Sequence, residues 1–417
     1  MRTCCLVLWL TCLSLILRES SAVRADTPHP GNPPGFEQTA LFEAGKGGYL
    51  FYRIPSAVVS TKGSVLVFAE GRRTPWGAHA DSGEINIVMR RSTDGGKTFD
   101  EQKIVWADGK NTCGNPCAVV DERTGTVVLL ITHNLGEDAE GQINRGTSVG
   151  TRTVWVTTSD DDGVTWSTPR EITKDVKRPD WTWYATGPGV GIQLQRGPHK
   201  GRLVIPCNHV IKDGGDTAGN SHVILSDDGG KTWELGGSPL PRQFNESQVV
   251  ELSDGRVMLN MRNAASKGRK EAPKRRGVAI SSDGGATFDE AYRDPTLIEP
   301  ICQGSIRRYS WPTEEGGKGR ILFANPASES ERVAMTVRVS YDDGKTWPAE
   351  NLIFKGWSAY SCLVPLPDGT VGLLYEAGGR ARYERLEFAR LSLDWITSGK
   401  DALAPGERLA IPGAATR

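Results

Sequence analysis

Little in this chain points to an anionic partner. Its 417 residues hold 50 Lys and Arg against 50 Asp and Glu, a formal net charge of zero. That balance removes the electrostatic footprint of a nucleic-acid binder or of a protein held on an anionic membrane. Histidine is scarce, at six residues, and no His-Glu-x-x-His occurs, which disfavours a metallohydrolase. No apolar run after the N-terminal region reaches the length of a membrane span. No long stretch carries a helical period. Cysteine is sparse past the start. Only Cys113, Cys117, Cys207, Cys302 and Cys362 follow Cys4, Cys5 and Cys12. That odd set leaves at least one thiol free, and Cys113 with Cys117 is the nearest candidate disulfide. No second Cys or His pair stands beside them, so zinc is not expected.

The first 25 residues read as a secretory signal, with Arg2, an apolar stretch from Leu6 to Leu17 and Val23-Arg24-Ala25 as the cleavage pattern. A secreted protein, periplasmic or extracellular, is the expectation. Residues 26–35 are rich in Pro and Gly and read as a linker. A single domain is expected over 36–417.

Within that domain one pattern recurs. STDGGKTF from Ser92, SDDDGVTW from Ser159, SDDGGKTW from Ser226, SSDGGATF from Ser281 and SYDDGKTW from Ser340 share Ser-x-Asp-x-Gly-x-Thr-(Trp/Phe). Their starts lie 67, 67, 55 and 59 residues apart. The Asp folds back onto backbone N–H groups, the Gly takes a positive φ and the aromatic residue anchors the turn. The run Asp160-Asp161-Asp162-Gly163 resembles the start of a calcium loop, but the alternating ligands and the closing Glu are missing. Between the repeats lie short β-branched runs such as SVLVFAEG and GTVVLLITHN, of strand length. Units of roughly 60 residues over about 380 predict an all-β, six-bladed β-propeller with four-stranded antiparallel blades, five carrying the turn motif. One terminal blade is expected to be closed by a strand from the opposite terminus. Gly136 to Arg152 and Ser266 to Gly277 interrupt the rhythm and read as solvated loops.

The turns explain the fold and no chemistry. The non-repeating polar residues matter more. Arg53 in YRIPS, Arg262 in NMRN and Arg332 in SERVAMTV each sit at a strand boundary in a different unit. If those boundaries converge on one face, three guanidinium groups can clamp a carboxylate. Tyr-Arg-Ile-Pro followed by five such Asp-box repeats resembles the exo-alpha-sialidase (neuraminidase) family over most of residues 40–390. The resemblance implies that Arg53, Arg262 and Arg332 bind the carboxylate of sialic acid. It matches the tyrosine nucleophile to Tyr360 in GWSAYSCL, its partner glutamate to Glu246 and the acid/base aspartate to Asp81 in AHADSGEI. Glu251 is a rival for the glutamate, but Glu246, sixteen residues before Arg262, has the better spacing. Glu376 resembles the acidic residue that holds the first arginine. Glu70 and Arg72 in FAEGRR resemble pocket residues near the sugar. Tyr184 in WTWYATGPG is expected to line the pocket near the glycerol tail, with Trp181 and Trp183 as core.

These residue types suit the substrate. Sialic acid carries its carboxylate on the anomeric carbon, so an Asp or Glu nucleophile would approach against that charge. A phenol is neutral until a neighbouring carboxylate takes its proton. The tyrosine-nucleophile glycosidases are an exception to the two-carboxylate scheme. Asp81 would protonate the leaving oxygen and later activate water, which requires its pKa to rise when substrate closes the site. The resemblance implies retaining hydrolysis of terminal α-linked sialic acid from glycoproteins, glycolipids or oligosaccharides. It implies no cofactor and no metal, and a monomer is expected. A non-catalytic sialoglycan-binding propeller stays open, as do a form that prefers the deaminated sugar Kdn, a trans-sialidase and an intramolecular trans-sialidase.

Overall fold

A computed structural model describes residues 34–75, 81–212, 219–241, 243–266, 273–314 and 316–411. The signal segment and residues 26–33 of the linker lie outside them. Short runs rich in Val, Ile and Leu, separated by Gly and Asp turns, form strands, and four sheets collect nearly all of them. A nine-stranded sheet covers Phe51–Glu171 and takes in Gly189–Val190. A five-stranded sheet covers Trp181–Leu235, and a four-stranded antiparallel meander runs through Ser247–Glu251, Val257–Met261, Arg275–Ser281 and Tyr292–Ile298. The last sheet has seven strands, from Ser305 to Leu391, with Phe36–Glu43 on its edge. That first strand pairs antiparallel with Arg385–Leu391, so the two ends of the domain share one sheet. Among the described residues no helix is long and apolar enough to cross a membrane.

Five strands or strand pieces from different parts of the chain meet in a circuit. Phe51–Val59 packs on Thr112–Val120, which meets Ile192–Gln193; that piece meets Ser247–Glu251, which meets Ser305–Ser310. Ser305–Ser310 packs on Ala349–Pro365, which returns to Phe51–Val59 and closes the circuit. Phe51–Val59 and Thr112–Val120 are buried along their whole length, which explains their unbroken apolar texture. Peripheral strands such as Tyr292–Ile298 are mostly exposed.

All five Ser-x-Asp-x-Gly-x-Thr segments close with the same bonds. In the first, Ser92 Oγ donates to Asp94 Oδ1 at 2.7 Å, Gly96 N–H donates to Ser92 Oγ at 2.8 Å and Thr98 N–H donates to Asp94 Oδ1 at 2.9 Å. The set recurs at Ser159, Ser226, Ser281 and Ser340. Gly163 shows why glycine is needed. Its φ is +80°, and a Cβ there would meet Leu66 Cδ2 at 2.9 Å. The aromatic residue of each turn packs inward, as Trp166 does edge-on against Phe68 at 5.6 Å.

Three expectations need correction. Cys113 and Cys117 are not bridged, and all five described cysteines are free and buried. The register of Thr112–Val120 shifts between Gly114 and Cys117, and Asn115 has a φ of +52°. The bulge sends Cys113 into one core cluster and Cys117 into another. The supposed loop Ser266–Gly277 contains Arg276, which is fully buried and paired with Glu299 at 2.7 Å; residues 267–272 lie outside the description. Gly136–Arg152 is likewise no simple solvated loop. It holds the helix Glu140–Arg145 and ends at the buried Arg152.

Candidate active site

The circuit of strands leaves a polar cavity of about 340 Å³ at one end. Arg53, Arg72, Asp81, Glu246, Arg262, Arg332 and Tyr360 all line it. Each lies at or near a strand end, where backbone direction can change without breaking a ladder.

Arg53 is aimed by a bulge. The register of Phe51–Val59 with Val65–Arg72 shifts between Arg53 and Ser56, and Ile54 has a φ of +59°. A β-branched residue in that region is strained, a cost of order 1–3 kcal/mol met by surrounding bonds. Glu376 supplies them. Its Oε1 accepts Arg53 Nε at 2.9 Å and Ile54 N–H at 3.0 Å. Its Oε2 accepts Arg53 Nη2 at 3.2 Å and Tyr360 N–H at 3.0 Å. One buried carboxylate thus fixes Arg53 and the backbone of Tyr360 together.

Tyr360 is the centre of the cluster. Its hydroxyl donates a very short hydrogen bond to Glu246 Oε1. Arg262 Nη1 donates to Glu246 Oε2 at 2.5 Å and to Tyr360 Oη at 3.2 Å. Arg53 and Arg332 place their guanidinium carbons 4.7 Å and 5.5 Å from the Tyr360 ring centroid. Three guanidinium groups therefore converge on one phenol. Burial, and then the charge of Glu246, push the phenol well above its ordinary pKa, against the pull of the arginines. Burial also pushes Glu246 up, but Arg262 and the Tyr360 hydrogen bond outweigh it and hold the carboxyl below its usual range. The pair rests as phenol and carboxylate, with the proton on the tyrosine. Among the described residues the buried Nε of Arg262 has no partner, which leaves a donor for a ligand.

Asp81 stands half-exposed at the mouth, accepting from Arg72 Nη1 at 2.8 Å, with Arg53 Nη1 at 3.9 Å. Enclosure pushes its carboxyl up, but Arg72 and Arg53 hold it at about 2. Arg72 Nε donates to Glu70 Oε2 at 2.8 Å, and Glu70 Oε1 accepts Asn115 N–H at 2.7 Å.

Tyr184 does not line the cavity. A register shift between Trp181 and Tyr184 puts both on the inner side of their strand, while Trp183 and Ala185 face the cavity. Tyr184 is fully buried and its hydroxyl pairs with His222 Nε2 at 2.9 Å. Glu251 is also elsewhere, accepting Gln195 N–H and Arg196 N–H at 2.7 and 2.8 Å. Sequence reasoning missed Asn115, Arg152, Trp183 and Tyr383. Arg152 lies 4.1 Å over the Trp183 ring, and Arg332 Nη1 donates to Tyr383 Oη at 3.3 Å. The pairs Asn-Pro and Trp-Thr-Trp offered no local signal for these roles.

The site joins a carboxylate-sized cluster of cations to an activated phenol on an all-β frame. Residues 63–373 match the BNR repeat-like domain family. The chain is 37% identical over 406 residues to a sialidase of Micromonospora viridifaciens, covering 93% of this chain and 59% of that protein. It is 31% identical over 384 residues to an exo-alpha-sialidase of Aspergillus fumigatus, covering 84% and 86%. The solved Hadza microbial sialidase Hz136 superposes with a TM-score of 0.74 at 31% identity, over 86% of this chain and 69% of that one. An all-β protein of the BNR-repeat class is thereby defined. Within that class the chain belongs to the exo-alpha-sialidase family. It spans less than two thirds of the length of the Micromonospora relative.

Proposed function

We propose that this protein is an exo-alpha-sialidase that releases terminal α-linked sialic acid from glycoproteins, glycolipids or oligosaccharides with retention of configuration. The observation that carries the reading is the convergence of Arg53, Arg262 and Arg332 on a phenol already bonded to Glu246. The arginines would take the sugar carboxylate through charge-assisted bonds. Tyr360 Oη would attack the anomeric carbon while its proton passes to Glu246. Asp81 would give a proton to the leaving oxygen, then take one from the water that attacks the same carbon. Tyr360 would leave and recover its proton from Glu246.

Asp81 must hold a proton for the first step, and in the empty cavity Arg72 and Arg53 keep it ionised. A bound carboxylate cancels the field of the arginines and raises the pKa of Asp81. Substrate thus arms its own acid. The circuit of inner strands and the five equal turns support a six-bladed propeller as the frame.

The test is incubation of the purified protein with a fluorogenic α-sialoside, with Tyr360→Phe and Arg262→Ala alongside and the released sugar identified by mass spectrometry. Free sialic acid from the unmodified protein, and near-complete loss in both variants, is expected. An anhydro sugar would shift the reading to intramolecular transfer. Intact substrate with a folded protein would leave a sialoglycan-binding propeller.

A further inference from the structure

Next to the arginine cavity lies a second, open depression of about 450 Å³, lined among others by Arg73, Thr74, Glu84, Lys110, Asn111 and Glu137. Its wall is made from the segments that flank Asp81. Arg73 follows Arg72, whose guanidinium bonds Asp81. Glu84, three residues past Asp81, donates its N–H to Thr74 Oγ1 at 3.1 Å and pairs with Arg73 Nη1 at 2.6 Å. Farther out, Asn111 Nδ2 donates to Asp108 Oδ2 at 2.8 Å, and the same oxygen partners His133 Nε2 at 2.8 Å. His133 stacks on Trp106 at 5.4 Å, and Trp155 stands 5.2 Å from Trp106. All three rings are partly exposed.

We propose that this depression and the aromatic trio beyond it bind the sugars next to the sialic acid, an uncharged chain of hexose and N-acetylhexosamine. The inference rests on the sialidase reading above. Three observations carry it. The group that protonates the leaving oxygen faces the departing sugar, so the aglycone lies on the Asp81 side. The lining mixes Arg73 and Lys110 with Glu84 and Glu137, and such a balance suits a neutral ligand better than an ionic one. Amide, hydroxyl and carboxylate groups there match sugar hydroxyls, and the C–H face of a pyranose packs on indole and imidazole rings. The volume falls within the range of about 300–1,000 Å³ for small-ligand sites.

The experiment compares kcat/KM on a sialylated neutral oligosaccharide with kcat/KM on methyl α-sialoside, whose aglycone is too small to reach the depression. The unmodified protein, Trp106→Ala and Asn111→Ala are measured, with melting curves to confirm that each is folded. In both variants the ratio of the two constants should fall about three- to tenfold through a higher KM for the oligosaccharide, the size of one lost stacking contact. Asn111 packs on no core cluster, so its variant keeps the test sound if Trp106→Ala unfolds. An unchanged ratio in a folded variant overturns the proposal. If the unmodified protein cleaves neither substrate, the sialidase reading fails instead. Saturation-transfer NMR with the desialylated oligosaccharide then decides, because absence of transfer to the unmodified protein also overturns the subsite, and transfer lost in the variants supports it.

Discussion

Glu376 shows how much one residue can hold. It is completely buried and accepts four hydrogen bonds, from Arg53, Ile54 and Tyr360. Glu376→Gln leaves the Arg53 charge without its partner. Breaking such a buried pair costs about 3–5 kcal/mol, so the variant should melt at lower temperature and bind sialosides more weakly, read by calorimetry and by KM. Asp81 makes the opposite kind of contribution, to rate alone. Asp81→Ala should slow an alkyl sialoside by about 10²–10⁴-fold, the worth of a general acid. An aryl sialoside, whose phenolate departs unaided, should lose much less. The pH profile has a definite sign. Glu246 works as carboxylate and its pKa is held below 4.5. The acid limb of kcat/KM should therefore lie below pH 4.5, and a limb well above it would remove Glu246 from the role of base. The residues legible in the sequence here were those with a local signature, such as Arg53 in Tyr-Arg-Ile-Pro. Trp183 and Arg152 have none, since strand parity and a distant loop decide where they point.

At the scale of elements, the bulges matter most, and they are the part the sequence hides. An extra residue near Asn115 separates Cys113 from Cys117, and another near Trp181 turns Tyr184 inward. Period-two reasoning fails wherever the register slips. The five turns behave differently, because their bonds are local and repeat in the letters themselves. Gly163→Ala should cost about 1–2 kcal/mol, the penalty of a left-handed L-residue, and more if Leu66 cannot shift. Denaturant melting of the variant checks this. A buried ion pair ties down the C-terminal segment. Arg320 donates to Asp401 Oδ2 at 2.7 Å, and Asp401 is held at about 2, with burial opposing and the Arg320 and Lys318 bonds prevailing. A carboxyl whose folded pKa is depressed contributes stability above its unfolded value and loses it as pH falls toward the folded one. The melting temperature should accordingly drop between about pH 4 and pH 2, and Asp401→Asn should flatten that drop.

Over the whole molecule, composition and repeat spacing made the all-β class readable, while the pairing of the first strand with the last was readable only as a need for closure. Removing Phe36–Glu43 bares the edge of Arg385–Leu391, a ready template for pairing with another chain. The shortened protein should associate at concentrations where the full chain does not, as light scattering would report. The clasp made by Glu376 has a bearing on time as well as space. It joins residue 53 to residue 360, so the phenol and the first arginine cannot be set until both ends of the domain have been made and brought together. A nascent chain that still lacks its final sheet is chemically inert. In refolding, sialoside cleavage should return only with the slowest phase, after secondary structure is already complete. Turnover is thus a clock for the last step of assembly, and the half-made protein leaves the sugars around it untouched.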